Sequence, residues 1–413
     1  KSISERVNRP DLENKFFKYI WNGWIGLASP VLSNTGTDRG LPISCFGIDT
    51  PDSVRGIGLT NAELMKLTAL GGGVGISTSR IRPRGTTITG NGKSEGVVPW
   101  CKIYDSAIIA TNQGSVRRGA ASVNLDINHP DIKEFMQIRR PKGDPNRQCL
   151  NLHQCVVVDD AFMRRLQDRD SEAMSLWLDI LKTRVETGEP YIMFKDTVQA
   201  ALPEFQKDLG LRVNHSNLCS EITLATNNER TAVCCLSSVN LEEYDEWKDN
   251  PDFIPDLIRM LDNVITHFCN TAPPELEKAV NSAKSERSLG LGAMGFHAYL
   301  QRHNVPFESA MAKGRNIKMF KHIKGEALNA TRQLAKERGS CPDGSSAGVR
   351  NAHLLAVAPN ASSSIICGNT SPSIEPYRAN AFTQKTKSGS SLLKNEYLEH
   401  ALQELGQDTF RAF

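Results

Sequence analysis

Within Asn217-Leu218-Cys219-Ser220-Glu221 an amide, a thiol and a carboxylate recur at every second position. In an extended chain that spacing sets Asn217, Cys219 and Glu221 on one face. There the amide can orient hydroxyl groups, the thiol can react and the carboxylate can exchange protons. His215, Ser216 and Thr223 keep the stretch polar, unlike a core strand. A half-exposed strand with one incidental cysteine accounts for the same residues. A Cys/His pairing of the protease kind competes too, but nearness in sequence is not pairing, and an alternating strand leaves His215 on the same face two steps away.

Pro359-Asn360-Ala361-Ser362-Ser363-Ser364 is the other stretch with chemical potential. Small hydroxyl residues after a proline leave backbone N–H groups and serine oxygens able to wrap an anion, above all where a helix begins. A serine-rich capped turn explains the residues equally well. Two glycine-rich stretches do not qualify as phosphate cradles. Gly90-Asn91-Gly92-Lys93-Ser94 contains G-K-S, but Thr87 stands where the phosphate-binding loop needs its first glycine. Gly71-Gly72-Gly73-Val74-Gly75 precedes a strand, whereas the dinucleotide fingerprint follows one, so a helix cap and tight turn is the reading it supports.

The ten cysteines, at 45, 101, 149, 155, 219, 234, 235, 269, 341 and 367, show no C-x-x-C and no zinc-ligand spacing. Reduced, mostly buried thiols are expected, in an intracellular, cytoplasmic setting. Residues 1–20 are charged throughout and do not read as a signal peptide. No apolar run approaches the roughly 18–20 residues of a membrane helix. Lys and Arg number 49 against 46 Asp and Glu, a balance of +3 that gives no reason to expect nucleic-acid binding. The 413 residues, 39% hydrophobic and 23% charged, suffice for a large core without disulfide or metal staples.

The elements that must position these residues follow from periodicity. Phe16, Phe17, Ile20, Trp21 and Trp24 predict a helix over 11–27, and Ser29 to Gly36 reads as a loop. Leu41 to Ile48 suits a buried strand carrying Cys45. A helix over 61–70 with Asn61 as N-cap and Gly71 as C-cap leads to a strand at 74–77. Residues 80–96 form an exposed polar loop, followed by a helix at 99–112 and a strand at 120–125. His129-Pro130-Asp131 opens a helix to about Arg139. Residues 140–149 make a second polar loop before a strand at 155–158, and helices are predicted at 171–187, 255–269 and 315–338. Repeated strand–helix alternation argues for an α/β fold.

Taken together and in order, several features resemble the catalytic large subunit of ribonucleotide reductases. They are Ser29-Pro30 with Ser44-Cys45, Ser79-Arg80-Ile81-Arg82, Gly114-Ser115-Val116-Arg117-Arg118-Gly119-Ala120-Ala121, Asn217-x-Cys219-x-Glu221, Cys234-Cys235-Leu236-Ser237, and Pro359–Ser364 with Ile374-Glu375-Pro376. The resemblance covers nearly the whole chain. It implies an N-terminal helical segment (1–40) and a ten-stranded α/β barrel (41–413) of two five-stranded halves around a central finger loop. Cys219 would carry a thiyl radical that removes hydrogen from ribose C3′, Glu221 would take the 3′-hydroxyl proton, and Asn217 would hold the ribose hydroxyls. Cys45 and Cys234 would be the thiol pair that supplies two electrons. Ser29, Ser44, Pro359, Asn360, Ala361, Ser362 and Ser363 would bind the diphosphate substrate. Cys235, on the opposite face of a regular strand from Cys234, receives no role.

The resemblance also implies a nucleoside triphosphate effector (a dNTP or ATP) at a homodimer interface, with Asp52 on its ribose, Arg82 on its phosphates, and residues 143–151, with Arg147, signalling to the substrate. It implies no directly bound cofactor or metal, a radical-generating, metal-containing small (beta) subunit as partner, and thioredoxin or glutaredoxin as external reductant. Leu150-Asn151-Leu152-His153 followed by Val156-Val157-Val158 favours this class I arrangement. An adenosylcobalamin-dependent enzyme on the same barrel, or a nucleotide-binding regulatory paralogue without turnover, are the alternatives. The family's N-terminal ATP cone is expected to be absent, as are its C-terminal Tyr pair and mobile cysteine pair, giving a chain that binds nucleotide better than it turns over.

Overall fold

The computed structural model describes residues 11–37, 39–111, 118–386, 389–407 and 409. Residues Gly114 to Arg117 of the Gly114–Ala121 motif lie outside them.

The chain builds one half of its sheet strictly in sequence order. Strands β1 (Ile25–Leu27), β2 (Cys45–Asp49) and β3 (Gly73–Ser77) come first, and a small hairpin, β4 (Thr87–Ile88) with β5 (Gly92–Lys93), stands in the first polar loop. β6 (Ala120–Asp126), β7 (Leu152–Val158) and β8 (Tyr191–Phe194) follow. β2, β3, β6, β7 and β8 are parallel neighbours in that order. The second half begins with β9 (Ala232–Asn240), which returns to pair antiparallel with β2, with β1 beyond it on the same edge and β10 (Leu289–Met294) parallel on the other. Residues 353–356 run beside β10, with a parallel bridge between Leu291 and Leu355. Among the described residues this curled sheet has eight strands; β11 (Ala381–Thr386) and β12 (Gly389–Lys394) form a separate hairpin. The fold is the α/β barrel type that the sequence predicts, with one five-stranded half complete.

Alternation along the strands separates two environments. Phe46, Ile48, Val74, Ile76, Val123, Leu125, Val156 and Val158 face outward into the main core, under helices such as Val54–Ala69 and Val98–Thr111. The opposite, inner face carries small and polar residues in register: Cys45 beside Gly73, Gly47 beside Gly75, Gly75 beside Ser122, and Asn124 beside Cys155. An apolar layer outside and a small, polar layer inside leave room in the barrel for another segment.

Several local expectations change. The first helix ends at Trp21, because Gly23 takes φ +68° and the chain turns into β1. Ser29–Asn34 is a short helix rather than a loop, with Pro30 in its first turn, where a missing N–H costs nothing. The helix predicted at 61–70 begins at Val54, capped by the Ser53 hydroxyl accepting from Gly56 N–H; Asn61 lies inside it. The helix opened by His129 spans only Ile132–Phe135. The long helices are Ser171–Thr187, Phe253–Thr271 and Ala310–Arg338, close to prediction. Among the described residues no helix is long and apolar enough to cross a membrane.

Candidate active site

The connection from β8 to β9 must cross the full width of the first half, and it does so through the barrel interior. Glycines in the strands make that possible. A Cβ on Gly75 would lie 2.1 Å from the Ser216 carbonyl oxygen, one on Gly73 2.8 Å from Leu218 Cδ2, and one on Gly47 2.8 Å from His215 Cε1. These three positions form a bed on which residues 215–218 lie. Hydrogen bonds fix the segment there: Ser122 Oγ donates to Asn217 O (3.4 Å) and Ser216 Oγ donates to Asn124 Oδ1 (3.3 Å).

The segment is not the extended strand that would set Asn217, Cys219 and Glu221 on one face by alternation; it is a loop of the finger kind that the resemblance implies, with Cys219 at its tip. Residues 217–222 form a tight reversal. Asn217 N–H donates to Ile222 O and Ile222 N–H to the Asn217 side-chain Oδ1, both at 3.0 Å, and Ser220 takes φ +64°. Asn217 is therefore the clasp at the base of a fingertip, with Cys219 exposed at its tip. The three residues still gather in one place, by a turn rather than by strand alternation.

Beneath the fingertip, Cys45 and Cys234 are directly opposite across the β2–β9 pair. Cross-strand partners of this kind have Cβ atoms about 4.5–5.5 Å apart, so a small adjustment suffices for a disulfide. The Cys45 thiol donates to Glu221 Oε1 across 3.8 Å. Burial first, then the nearby Glu221 and Cys219, push the Cys45 pKa up to about 12, against the pull of the Asn217 and Ser44 side chains. Burial, then Cys45 itself, raises Cys234 well above the ordinary thiol range. Both are thus protonated thiols at neutral pH, the form that can donate hydrogen and electrons together. Cys235 points into the outer core, away from the pair, as alternation predicts.

Of the other predicted residues, Ser44 is buried next to Cys45 and Ser29 is exposed just after β1. In the 359–364 loop Asn360 takes φ +53°, and its Nδ2 donates to Ser238 Oγ (2.9 Å) and to the carbonyls of Ala293 (3.1 Å) and Ala358 (2.9 Å). That clamps the loop over the C-terminal ends of β9 and β10 and leaves Pro359, Ala361 and Ser362 exposed, while Ser363 Oγ turns toward Leu27 O (3.5 Å). Asn360 thus acts in the loop's own framework.

The remaining three residues lie elsewhere. Arg82 Nε donates to both Asp52 oxygens (2.9 and 3.1 Å) in a pair about one-third exposed. Arg147 pairs with Glu134, which Arg84 also approaches (3.9 Å), so the two polar loops meet at one acidic residue. Among the described residues no group of His, Cys, Asp and Glu is arranged to hold a metal ion.

Sequence reasoning missed the glycine bed, whose signal was glycine at alternate positions (73 and 75) within an apolar strand. It also missed Tyr191. This residue lies half-buried on β8, in register with Cys155 of β7, and burial first, then Glu189 and Cys219, raise its pKa.

A family model, ribonucleotide reductase barrel domain, matches residues 43–172, 167–347 and 342–412. The chain belongs to the ribonucleotide reductase family. It is 45% identical over 419 positions to the protein named as the ribonucleoside-diphosphate reductase large subunit of Frog virus 3 (isolate Goorha), covering 97% of this chain and 73% of that one. It is 39% identical over 462 positions to the large subunit of Invertebrate iridescent virus 3, covering 95% and 72%. The class Id ribonucleotide reductase alpha subunit of Actinobacillus ureae superposes with a TM-score of 0.89 at 36% identity, covering 98% of this chain and 74% of that one.

Proposed function

We propose that this reductase barrel converts ribonucleoside diphosphates to 2′-deoxyribonucleotides, with Cys219 initiating the reaction and Cys45 and Cys234 as reductant. The observation that carries this reading is the cross-strand thiol pair under the fingertip, with Glu221 within 3.8 Å of Cys45. Such a pair beside an exposed cysteine and a carboxylate is what a two-electron reduction at a sugar needs.

A class I small subunit, when engaged, supplies the oxidising equivalent at Cys219. The Cys219 thiyl then takes the hydrogen atom from C3′, and Glu221 takes the proton of the 3′-hydroxyl. The 2′-hydroxyl leaves as water with a proton from Cys45. The thiol pair yields the two electrons, C2′ gains hydrogen, and the Cys45–Cys234 disulfide forms. Glu221 gives its proton back to the 3′-oxygen, and Cys219 finally returns its hydrogen to C3′. The net change is one hydroxyl replaced by hydrogen, two thiols joined, and one water released. Asn217 holds the ribose, and the bound substrate covers the exposed Cys219 and keeps water from the radical.

The diphosphate is bound by the exposed edge of the loop at Pro359, Ala361 and Ser362, with Asn360 and Ser363 framing it from behind and Ser29 beside it. Asp52 and Arg82 take the effector. A partly exposed pair such as theirs is worth under about 1 kcal/mol, so a nucleotide can open it at little cost. Arg147 and the 143–151 loop carry the signal onward, anchored to helix Val98–Thr111 by Lys102 Nζ donating to Gln148 O (2.8 Å) and by Asn151 N–H donating to Asp105 (2.8 Å). The exposed Val54, Leu59 and Met65 of helix Val54–Ala69, and Ile103 and Ile109 of helix Val98–Thr111, suit a homodimer contact next to this site. Thioredoxin or glutaredoxin then reduces the disulfide.

The test is reduction of labelled CDP by the full-length protein with ATP and a dithiol, comparing a metal-loaded class I small subunit with adenosylcobalamin. Turnover only with the small subunit is expected. Turnover with cobalamin alone would overturn the class I reading, and none under either condition would overturn the activity.

A further inference from the structure

Two buried polar atoms beside the thiol pair have complementary, unmet needs. His215 is 2% exposed, and its Nδ1 lies 2.8 Å from the Ser216 carbonyl oxygen. A carbonyl can only accept, so Nδ1 carries the proton. Burial pushes the His215 pKa down, so the ring is neutral and Nε2 is a bare acceptor. Nε2 has no hydrogen-bond partner among the described residues.

Asn217, 4% exposed, presents the opposite case. Its Oδ1 accepts from Ile222 N–H, which fixes the amide orientation and turns Nδ2 away from that bond. Nδ2 is a buried donor that faces the Cys45 sulfur, with no partner at hydrogen-bond distance among the described residues. Both residues line one small cavity of about 10 Å³ whose wall includes Cys45, Cys234 and Gly47. That volume admits roughly one water molecule. An unmet acceptor and an unmet donor are both costly when buried, and one water satisfies both.

We propose that His215 and Asn217 hold a single buried water against the Cys45 thiol, and that through it His215 is a positioning residue for the Cys45–Cys234 pair. The water accepts from Asn217 Nδ2 and donates to His215 Nε2, which leaves its second lone pair as a closer second acceptor for the Cys45 S–H beside Glu221 Oε1, which lies a long 3.8 Å away. The dithiol gains a hydrogen-bond acceptor that the disulfide cannot use. His215 thereby favours the reduced, reaction-ready form. Gly47 is part of the same arrangement, since a side chain there would meet the His215 ring edge. The consequence for the thiols rests on the redox-pair reading; the water itself does not.

Two measurements test this. A crystal structure of the protein should show an ordered water within about 2.7–3.2 Å of both His215 Nε2 and Asn217 Nδ2. His215→Phe, which fills the volume but removes the acceptor, should shift the Cys45–Cys234 equilibrium about two- to fivefold toward the disulfide in redox buffers, or about 10–20 mV at roughly 30 mV per tenfold. His215→Gln, which restores an acceptor, should return it to the native value. A dry cavity, or a potential that His215→Phe leaves unmoved, overturns the proposal. Should Cys45 and Cys234 form no disulfide at all, the redox-pair reading fails instead, and the crystal structure alone decides the water.

Discussion

At the residue scale the assignments separate by what each side chain exchanges. Cys219→Ser should abolish CDP reduction, by more than about a thousandfold, while diphosphate binding, followed by equilibrium dialysis, stays within about twofold. Equal loss of both would remove Cys219 from the chemistry. Cys45→Ser or Cys234→Ser should end steady-state turnover yet still permit hydrogen abstraction, read out as breakdown of the sugar or release of base in a single turnover. Normal steady-state turnover in either variant would exclude it from the pair. The closeness of amide, thiol and carboxylate at 217–221 was legible in the sequence, while the roles of these residues, and of Cys45 and Cys234, came only through the family resemblance. Their arrangement was not legible from the residue types. Ser220 at φ +64° is a conformation that few non-glycine residues adopt, and nothing in the types at 217–222 distinguishes a clasped turn from a strand.

At the element scale, the finger depends on its bed. Gly75→Ala puts a methyl group 2.1 Å from the Ser216 carbonyl, backbone against backbone, so the loop must lift. We expect a loss of about 1–3 kcal/mol in denaturant unfolding, with turnover falling further than stability because the fingertip leaves the thiol pair. A stable, fully active Gly75→Ala would show that the loop is not held at this point. In the effector region, Arg82→Ala should weaken effector binding about tenfold or more by calorimetry and leave effector-free substrate affinity unchanged; unaltered effector binding would relocate that site. The helices from 171, 253 and 310 onward were readable from periodicity, being long and amphipathic. The short elements were not: Ser29–Asn34 is six residues held by its neighbours, and Val54 to Thr60 is apolar enough to pass for a loop-flanking run. Gly71, at φ +83°, does end its helix as read, but Gly73 and Gly75 make room for the finger, and a glycine required by an approaching segment looks the same as one required by a turn.

At the scale of the whole molecule, a buried polar cluster ties the two halves together and should make stability depend on pH. Glu286 is fully buried and receives hydrogen bonds from Ser282 Oγ (3.1 Å) and Gln206 Nε2 (3.2 Å), while Arg230 grips Asp343 alongside. Burial pushes the Glu286 pKa up to about 7, against the pull of Arg230, Gln206 and Ser282. A carboxyl group whose folded pKa exceeds its unfolded one binds its proton more tightly in the native state. Its contribution is therefore complete below about pH 4.5 and is lost as pH rises through about 7, a total of roughly 3 kcal/mol. Urea midpoints from pH 5 to 8 should fall less in Glu286→Gln than in the native protein; parallel slopes would show that Glu286 does not titrate as described. The α/β class was legible at this scale from strand–helix alternation, whereas the order in which β9 rejoins β2 was not, since pairing across that distance leaves no local trace. That pairing carries a further consequence. Strands β2 to β8 can assemble in the order in which they are synthesised, but Cys45 meets Cys234 only when the later half docks along the seam. The reductant thus exists only once the two halves have made this long-range contact, and a molecule whose halves have docked out of register has no thiol pair. Competence to reduce a nucleotide doubles as a certificate that the barrel has closed correctly.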